Sequence, residues 1–401
     1  MKEIELSSMI AEGGLNLAGF QERTYIRTRH RQLDWGTAWN HILQIGLYQK
    51  GPDVSEVGST WLDNLKEMRA LRPFSTPEIH ALGGDIAFLA SVWRPEATVP
   101  GSSVSPDSRR VISVPWLLDT RLIYYRRDLL AQAGIDEAGA FATPEAAYDT
   151  LARLQASGLR YPLGLPTGGL SIHNMTSWVW GRGGRFRSLD YRKIALVEPE
   201  ARRGMVDYFR LHRFIDPATS GMGYNEIINF YNQGNCAVMM NGQWAMRPIK
   251  ERAPGIDPRV LDCTGYALPP GVPFIGSSHL VIWRHSLHEL EALQLINHLT
   301  SPAVLKNLFQ AGVHFPARVE VLNGEPFAGD PDYQLVIECI RRGREVRSAR
   351  LWAGVESRLN ALGVQLWVDL FANPELDLAG EIERRVRDLA GRLEKTLLAN
   401  W

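Results

Sequence analysis

The sequence predicts an α/β protein built as two lobes, and three observations predict it. Short apolar strands alternate with amphipathic helices, the links between them are short, and the helices begin and end on capping and breaking residues. The chain is also 401 residues long, past the ~250–300 at which single hydrophobic cores stop growing, so two lobes are expected.

Lys2–Ile10 reads as a first strand that runs out into small and polar residues. Thr24–Leu33 is polar but β-tolerant and leads into Asp34-Trp35-Gly36. From Thr37 the apolar positions Trp39, Ile42, Leu43, Ile45 and Leu47 recur at helical spacing, and Gly51-Pro52 stops that helix. Asp53–Val57 returns as a short strand ending at Gly58-Ser59, which completes the strand–helix–strand unit of a mostly parallel sheet. Val111–Val114 and Leu122–Tyr125 read as two further strands. Thr143-Pro144-Glu145 is a helix start, with a hydroxyl cap, a proline at the first helical position and a carboxylate at the positive end. Cys236–Met240 and Leu280–Trp283 are buried-looking strands. Helices dominate after Ser286, over Glu289–Thr300, Pro302–Ala311, Asp332–Arg342 and Glu381–Leu398. The Ser-, Pro- and Gly-rich stretch 98–107 reads as a loop.

The composition narrows the function classes. Lys+Arg and Asp+Glu both number 44, so there is no basic excess to make a nucleic-acid footprint. The arginines of 384–387 alternate with Glu381, Glu383 and Asp388, as on a solvated helix face. Cys236, Cys263 and Cys339 are few and widely spaced, with no CxxC pair for zinc or thiol–disulfide chemistry; they read as small buried hydrophobes. No apolar run approaches the ~20 residues of a membrane span. The start of the chain lacks a basic region followed by an apolar stretch, so a periplasmic or cell-surface location is expected if a leader has been removed, and a cytoplasmic one otherwise. Twelve tryptophans are an unusual density, and the question is which of these flat rings line a binding surface rather than a core.

Catalytic signatures are missing. There is no GxxxxGK[ST] loop, and Gly181-Arg182-Gly183-Gly184 does not fit a dinucleotide fingerprint. Gly276-Ser277-Ser278-His279 sets hydroxyls beside an imidazole without a nucleophile elbow. His285 and His288 stand near Glu289 without HExxH, so no metal and no cofactor are expected. A pair of carboxylates for glycoside hydrolysis is defined in space rather than in sequence, which leaves a carbohydrate-active hydrolase as the alternative.

The positive signal is a series of segments in fixed order. Leu33-Asp34-Trp35-Gly36-Thr37-Ala38-Trp39 precedes a helix; Gly51-Pro52-Asp53-Val54 closes on Val57-Gly58-Ser59-Thr60-Trp61; Val114-Pro115-Trp116-Leu117-Leu118-Asp119-Thr120-Arg121 runs into Tyr124-Tyr125-Arg126-Arg127-Asp128. Further on come His173 to Gly184, Asn241-Gly242-Gln243-Trp244-Ala245, Gly276-Ser277-Ser278-His279-Leu280, Leu299-Thr300-Ser301-Pro302 and Phe315-Pro316-Ala317-Arg318. Over nearly its whole length the chain resembles the family-1 extracellular solute-binding proteins of the maltose- and trehalose-receptor type, the substrate-binding subunits of bacterial ABC sugar importers.

The resemblance implies a periplasmic-binding-protein-like fold with two discontinuous lobes, residues 1–118 and 275–318 in the first and 119–274 and 319–401 in the second. It implies hinge crossings near Asp119, Phe274 and Val319, a cleft at the hinge, and a sugar held between closing lobes. It implies a monomer with no enzymatic activity, whose partners are a saccharide and the membrane subunits of a transporter, with no nucleic acid. A cytoplasmic sugar sensor is a further alternative, motivated by the start of the chain, which lacks a basic region followed by an apolar stretch. A sugar offers C–H faces to flat rings and hydroxyls to carboxylates, amides and guanidinium groups. Trp244 and Trp116 suit ring stacking, with core packing as their alternative. Asp119 stands where the family presents a carboxylate, and Gln243 offers an amide. Arg350 stands where related receptors reach in from the C-terminal part, although Leu351 follows it where proline is common; Trp352 is an alternative contact. Asp34 and Trp35, Ser59 and Trp61, and Ser277 and Ser278 complete the expected ligand contacts. Relatives that bind α-linked disaccharides carry an aspartate where Gly58 stands and an aromatic where Ser278 stands, so the resemblance does not carry maltose or trehalose with it.

Overall fold

A computed structural model of the protein describes residues 2–93, 111–169, 172–188, 193–312, 315–346 and 352–398. The loop expected at 98–107 and the candidate contact Arg350 lie outside the described residues. Ten strands occur in chain order among the described residues: β1 (Lys2–Ser8), β2 (Ile26–Gln32), β3 (Val54–Gly58), β4 (Val114–Arg126), β5 (Leu163–Gly164), β6 (Val238–Gly242), β7 (Thr264–Ala267), β8 (Phe274–Ile282), β9 (Phe315–Pro316) and β10 (Arg344–Glu345). No helix among the described residues is long and apolar enough to cross a membrane.

The chain forms two compact, discontinuous units. Unit 1 comprises Met1–Asp119, Ile275–Gln334 and Glu345–Ala353; unit 2 comprises Thr120–Phe274, Leu335–Arg344 and Gly354–Trp401. Residues 345–353 and 319–334, assigned to the second lobe on sequence, cluster with unit 1 instead, so the crossing expected near Val319 falls at Gln334–Leu335. For 319–334 the physical reason is aromatic. Phe327 packs on Phe309 and Phe315 at 4.4 and 5.1 Å between ring centroids, and Tyr333 on the same two at 5.2 and 5.8 Å.

In unit 1, β1 lies parallel to β2 from Lys2↔Ile26 to Ser8↔Gln32 and parallel to β3 at Leu6↔Val54. β8 adds antiparallel to β3, from Val54↔Ile282 to Gly58↔Ser278. The helix Trp35–Tyr48 covers this sheet because Ala38, Ile42 and Ile45 recur on one face and bury against Val57, Val281 and Trp283. Asp34 caps its start, its Oδ1 accepting from the Gly36 N–H at 2.9 Å. Gln49, in the left-handed region at φ 50°, ends it just ahead of Gly51-Pro52.

In unit 2, β4 pairs antiparallel with both β6 and β7, and β6 pairs parallel with β5. Thr143 caps the helix Pro144–Ala156 through Ala146 N–H, with Pro144 in its first turn. Helices Ile172–Gly181 and Pro199–Phe209 meet backbone to backbone at Gly204, where a Cβ would press on the main chain of Trp178 and Val179.

Two expectations need correction. The sheets are mixed rather than mostly parallel, since β8 returns antiparallel and β4 takes antiparallel partners. The strands expected at Val111–Val114 and Leu122–Tyr125 are one 13-residue strand, β4, with Val111 making only an isolated bridge to Phe74. Asp119-Thr120-Arg121 looks like a polar break in sequence, but the Thr120 hydroxyl donates to the Phe274 carbonyl at 2.6 Å and Arg121 is buried among rings, so the strand continues.

Candidate functional site

A polar–aromatic cluster forms in unit 2 where β6 leaves the sheet. Val238–Gly242 is fully buried, and a single turn, Gln243–Ala245, follows it. Trp244 stands half-buried on that turn. Its six-membered ring folds back over Gly242 so closely that a Cβ there would collide with it, and only glycine fits. The Gly242 peptide is itself held, its carbonyl accepting from the Tyr124 hydroxyl at 2.7 Å.

Arg121, 2% exposed, sets its guanidinium carbon 5.1 Å from the Trp244 ring, 4.9 Å from Tyr224 and 5.4 Å from Phe274. Tyr224 meets Trp244 edge-on at 5.6 Å and 71°. A buried cation needs a counter-charge, and one reaches it in two steps. Arg121 Nη2 lies 3.2 Å from His173 Nδ1, and His173 Nε2 lies 2.9 Å from Glu356 Oε1. Because a guanidinium can only donate, Nδ1 accepts and the Nε2–H donates to the carboxylate, which fixes the imidazole tautomer. His173 also stacks on Phe274, at 4.4 Å and 11°. Gln243 is 3% exposed and its Oε1 accepts from the Thr120 N–H at 2.9 Å, so this amide oxygen ties the turn to β4. Trp244 is thereby fixed by glycine beneath it, a cation beside it and a tyrosine edge.

Unit 1 carries a second aromatic group where β3 ends. Trp61, 8% exposed, meets Trp35 and Trp39 at 5.6 Å each, and Trp35 and Trp39 are half-buried. Both Trp35 and Trp61 lie within van der Waals contact of the space a Cβ on Gly58 would take. Gly58 and Ser278, the two positions at which the resemblance led one to expect an aspartate and an aromatic in receptors of α-linked disaccharides, are opposite one another across β3 and β8. On the same face Glu56 is wholly buried. Its Oε2 accepts from the Met9 N–H at 2.7 Å, the Ser278 hydroxyl is its side-chain neighbour, and burial pushes its pKa up to about 7.

The remaining candidates separate. Trp116 is 1% exposed with its indole N–H donated to the Leu299 carbonyl at 3.0 Å, in the interior of unit 1. Trp352 is 1% exposed at the start of the helix Trp352–Ala372. Asp119 is half-buried at the last position of the first unit 1 segment. Ser277 is buried, with Oγ 3.0 Å from His279 Nε2 and 3.2 Å from Glu345 Oε1. Ser59 is buried in the turn after β3, and Asp34, exposed, is the helix cap described above. The structure thus brings Trp244 together with Gln243, and Trp35 with Trp61. Sequence reasoning did not pick out Arg121, His173, Tyr224 or Glu356 as candidates and named Phe274 only as a hinge crossing; these residues come from five separate stretches of chain, and Arg121 and His173 sit in segments that carry the family resemblance. Among the described residues, no group of three or more His, Cys, Asp or Glu side chains could hold a metal ion.

A family model described as bacterial extracellular solute-binding protein matches residues 17–334. Among solved structures, the chain is similar to an ABC transporter solute-binding protein from Thermotoga lettingae bound with α-D-tagatose, at 19% identity, TM-score 0.78, covering 99% of this chain and 100% of that one. It is similar to the sugar-binding protein MalE from Xanthomonas citri, at 20% identity, TM-score 0.77, covering 100% and 98%. A third is an ABC transporter solute-binding protein from Agrobacterium vitis with bound D-mannitol, at 16% identity, TM-score 0.75, covering 99% of each. Comparison with curated protein sequences finds no match.

Proposed function

Because the chain belongs to the bacterial extracellular solute-binding proteins, we propose that it binds a sugar as the receptor subunit of an ABC importer and releases that sugar chemically unchanged. The observation that carries this reading is the Trp244 ring, half-exposed yet fixed by Gly242, Arg121 and Tyr224. A fixed indole offers a flat face to the C–H side of a sugar ring without losing further rotamer freedom on binding. The sugars and sugar alcohol held by the structural neighbours support a ligand of the same class. The protein acts as a monomer at the cell surface or in the periplasm, and its second partner is the membrane part of the transporter. Trp35 and Trp61 are the contacts proposed from unit 1. Binding flexes the chain at Asp119–Thr120 and Phe274–Ile275, where one unit gives way to the other.

The test is a thermal-shift screen against a broad panel of mono- and oligosaccharides and sugar alcohols, with chromatography of each incubated ligand. Ligand at a hundredfold excess over Kd adds about 2.7 kcal/mol of stability. The expected result is a raised Tm with at least one member and every ligand recovered intact. A panel without any shift contradicts sugar binding, and cleavage products favour the hydrolase.

A further inference from the structure

A concave surface lies in unit 1, formed by the middle and later turns of the helix that Trp35 begins. Helix Trp35–Tyr48 covers the middle of its sheet and leaves the edge strand β2 uncovered, which opens a cleft of about 540 Å³. One wall is a helical stripe, His41, Gln44, Ile45 and Tyr48, at spacings i, i+3, i+4 and i+7. The other wall is the face of β2 that carries Arg29 and Arg31, and the floor is the β1 pair Glu5 and Ser7, aligned in register with those two arginines. Lys50 closes the cleft beyond the helix end.

The charges on these walls do not balance. Arg29 is engaged by carboxylates, at 3.4 Å from Glu3 and 3.5 Å from Glu5, and Glu5 is the one carboxylate in the lining. Arg31 stands opposite Ser7 rather than an acid, and neither Arg31 nor Lys50 has a carboxylate partner among the described residues. The field is felt inside the cleft, since burial first and the Arg31 charge second hold the His41 pKa below the usual imidazole value. A chain of zero formal net charge therefore concentrates two unneutralised cations, with a donor-bearing glutamine and a tyrosine ring, around one cavity of a volume that suits a small ligand.

We propose that this cleft binds a small polyanion, a molecule with two or more phosphate or carboxylate groups bridged between Arg31 and Lys50. Arg31 offers a planar fork that matches either group and Lys50 a mobile point charge, while the exposed Gln44 supplies a neutral hydrogen bond. The Tyr48 ring covers the ligand's less polar side.

The experiment is isothermal titration calorimetry of the full chain at low ionic strength, with pyrophosphate and citrate in separate arms that distinguish phosphate from carboxylate preference. The expected result is one-to-one binding of at least one probe, weakened tenfold or more in Arg31→Ala/Lys50→Ala. Because both side chains are exposed, that variant keeps the parent Tm, and a control substitution of an exposed cation elsewhere in unit 1, Lys306→Ala, leaves binding unchanged. The proposal is overturned if neither probe binds, if the double variant binds as tightly as the parent, or if Lys306→Ala loses as much affinity. Trp244→Ala is expected to leave polyanion binding intact, so its outcome is independent of the sugar site.

Discussion

Units 1 and 2 each gather tryptophan where a strand leaves the sheet, but they hold it in different ways. In unit 2 a single ring, Trp244, is locked by polar chemistry: a glycine it folds over, a buried guanidinium beside it, and a relay through His173 to Glu356. In unit 1 three rings, Trp35, Trp39 and Trp61, pack mainly on one another and on the apolar cluster under helix Trp35–Tyr48. The polar lock costs desolvation of a charge and returns a ring held in one orientation. The apolar group needs no counter-charge, and its half-exposed rings extend a core outward. The difference is why Trp244, and not a unit 1 ring, is the platform proposed above: its surroundings cannot rearrange without burying an unpaired charge.

Removing the buried cation is the largest way to break that contrast. Arg121→Met leaves the His173–Glu356 pair without its partner and takes the cation off the Trp244 face, so a loss of ~3–5 kcal/mol of stability is expected in urea unfolding. Arg121→Lys keeps the charge but not the fork, and is expected to recover only part of that loss. A variant as stable as the parent would mean that the relay holds nothing in place.

The next effect belongs to unit 1 and to pH. Burial raises the Glu56 pKa from 4.5 to about 7, so the folded state holds its proton more tightly than the unfolded chain does. Its contribution to stability is fully present below pH 4.5 and is lost as pH rises through 7. Glutamine mimics the protonated side chain, so Glu56→Gln is expected to be more stable than the parent at pH 8 by about 3 kcal/mol, a gap that closes towards pH 4.5. The histidines with lowered pKa, His30, His41 and His298, have the opposite sign, losing stability as pH falls through the usual imidazole range. They are common to both proteins and cancel when thermal melts are compared pH by pH. A gap that does not change with pH would contradict the account of Glu56.

The smallest effect separates capping from ligand contact at Asp34. Its Oδ1 accepts the Gly36 N–H, so Asp34→Ala is expected to cost about 1 kcal/mol of stability. Sugar affinity should stay unchanged if the cap is its whole role. A fall in affinity without a fall in Tm would return Asp34 to the binding surface.

Much of the fold was legible in the sequence because local rules and tertiary packing agree. The cap at Thr143, the stop at Gly51-Pro52 and the stripe Ala38, Ile42, Ile45 each decide an element by themselves. β4 misled because the polar Asp119-Thr120-Arg121 separates two apolar stretches in sequence, and only tertiary partners let the strand run through it. The site was legible only where a ring and its turn are adjacent in sequence, as with Gly242, Gln243 and Trp244. Arg121, His173, Tyr224, Phe274 and Glu356 are spread over more than two hundred residues, and no periodicity marks residues that meet only after folding. Trp116 shows the converse. Its position just ahead of the crossing expected at Asp119 fits a ligand contact in sequence, but its N–H is satisfied by Leu299 in the unit 1 interior.

The central claim, that Trp244 is a positioned platform for a sugar rather than a core residue, has one direct test. Trp244→Ala is measured twice, for affinity by calorimetry with whichever sugar the screen finds, and for ligand-free stability by urea unfolding. The account predicts a loss of roughly 2–4 kcal/mol in binding, the scale of a hot-spot ring, with a much smaller loss of stability because the ring is half-exposed. A variant that binds the sugar as well as the parent but is destabilised by ~3–5 kcal/mol, the cost of deleting a core aromatic, would contradict it.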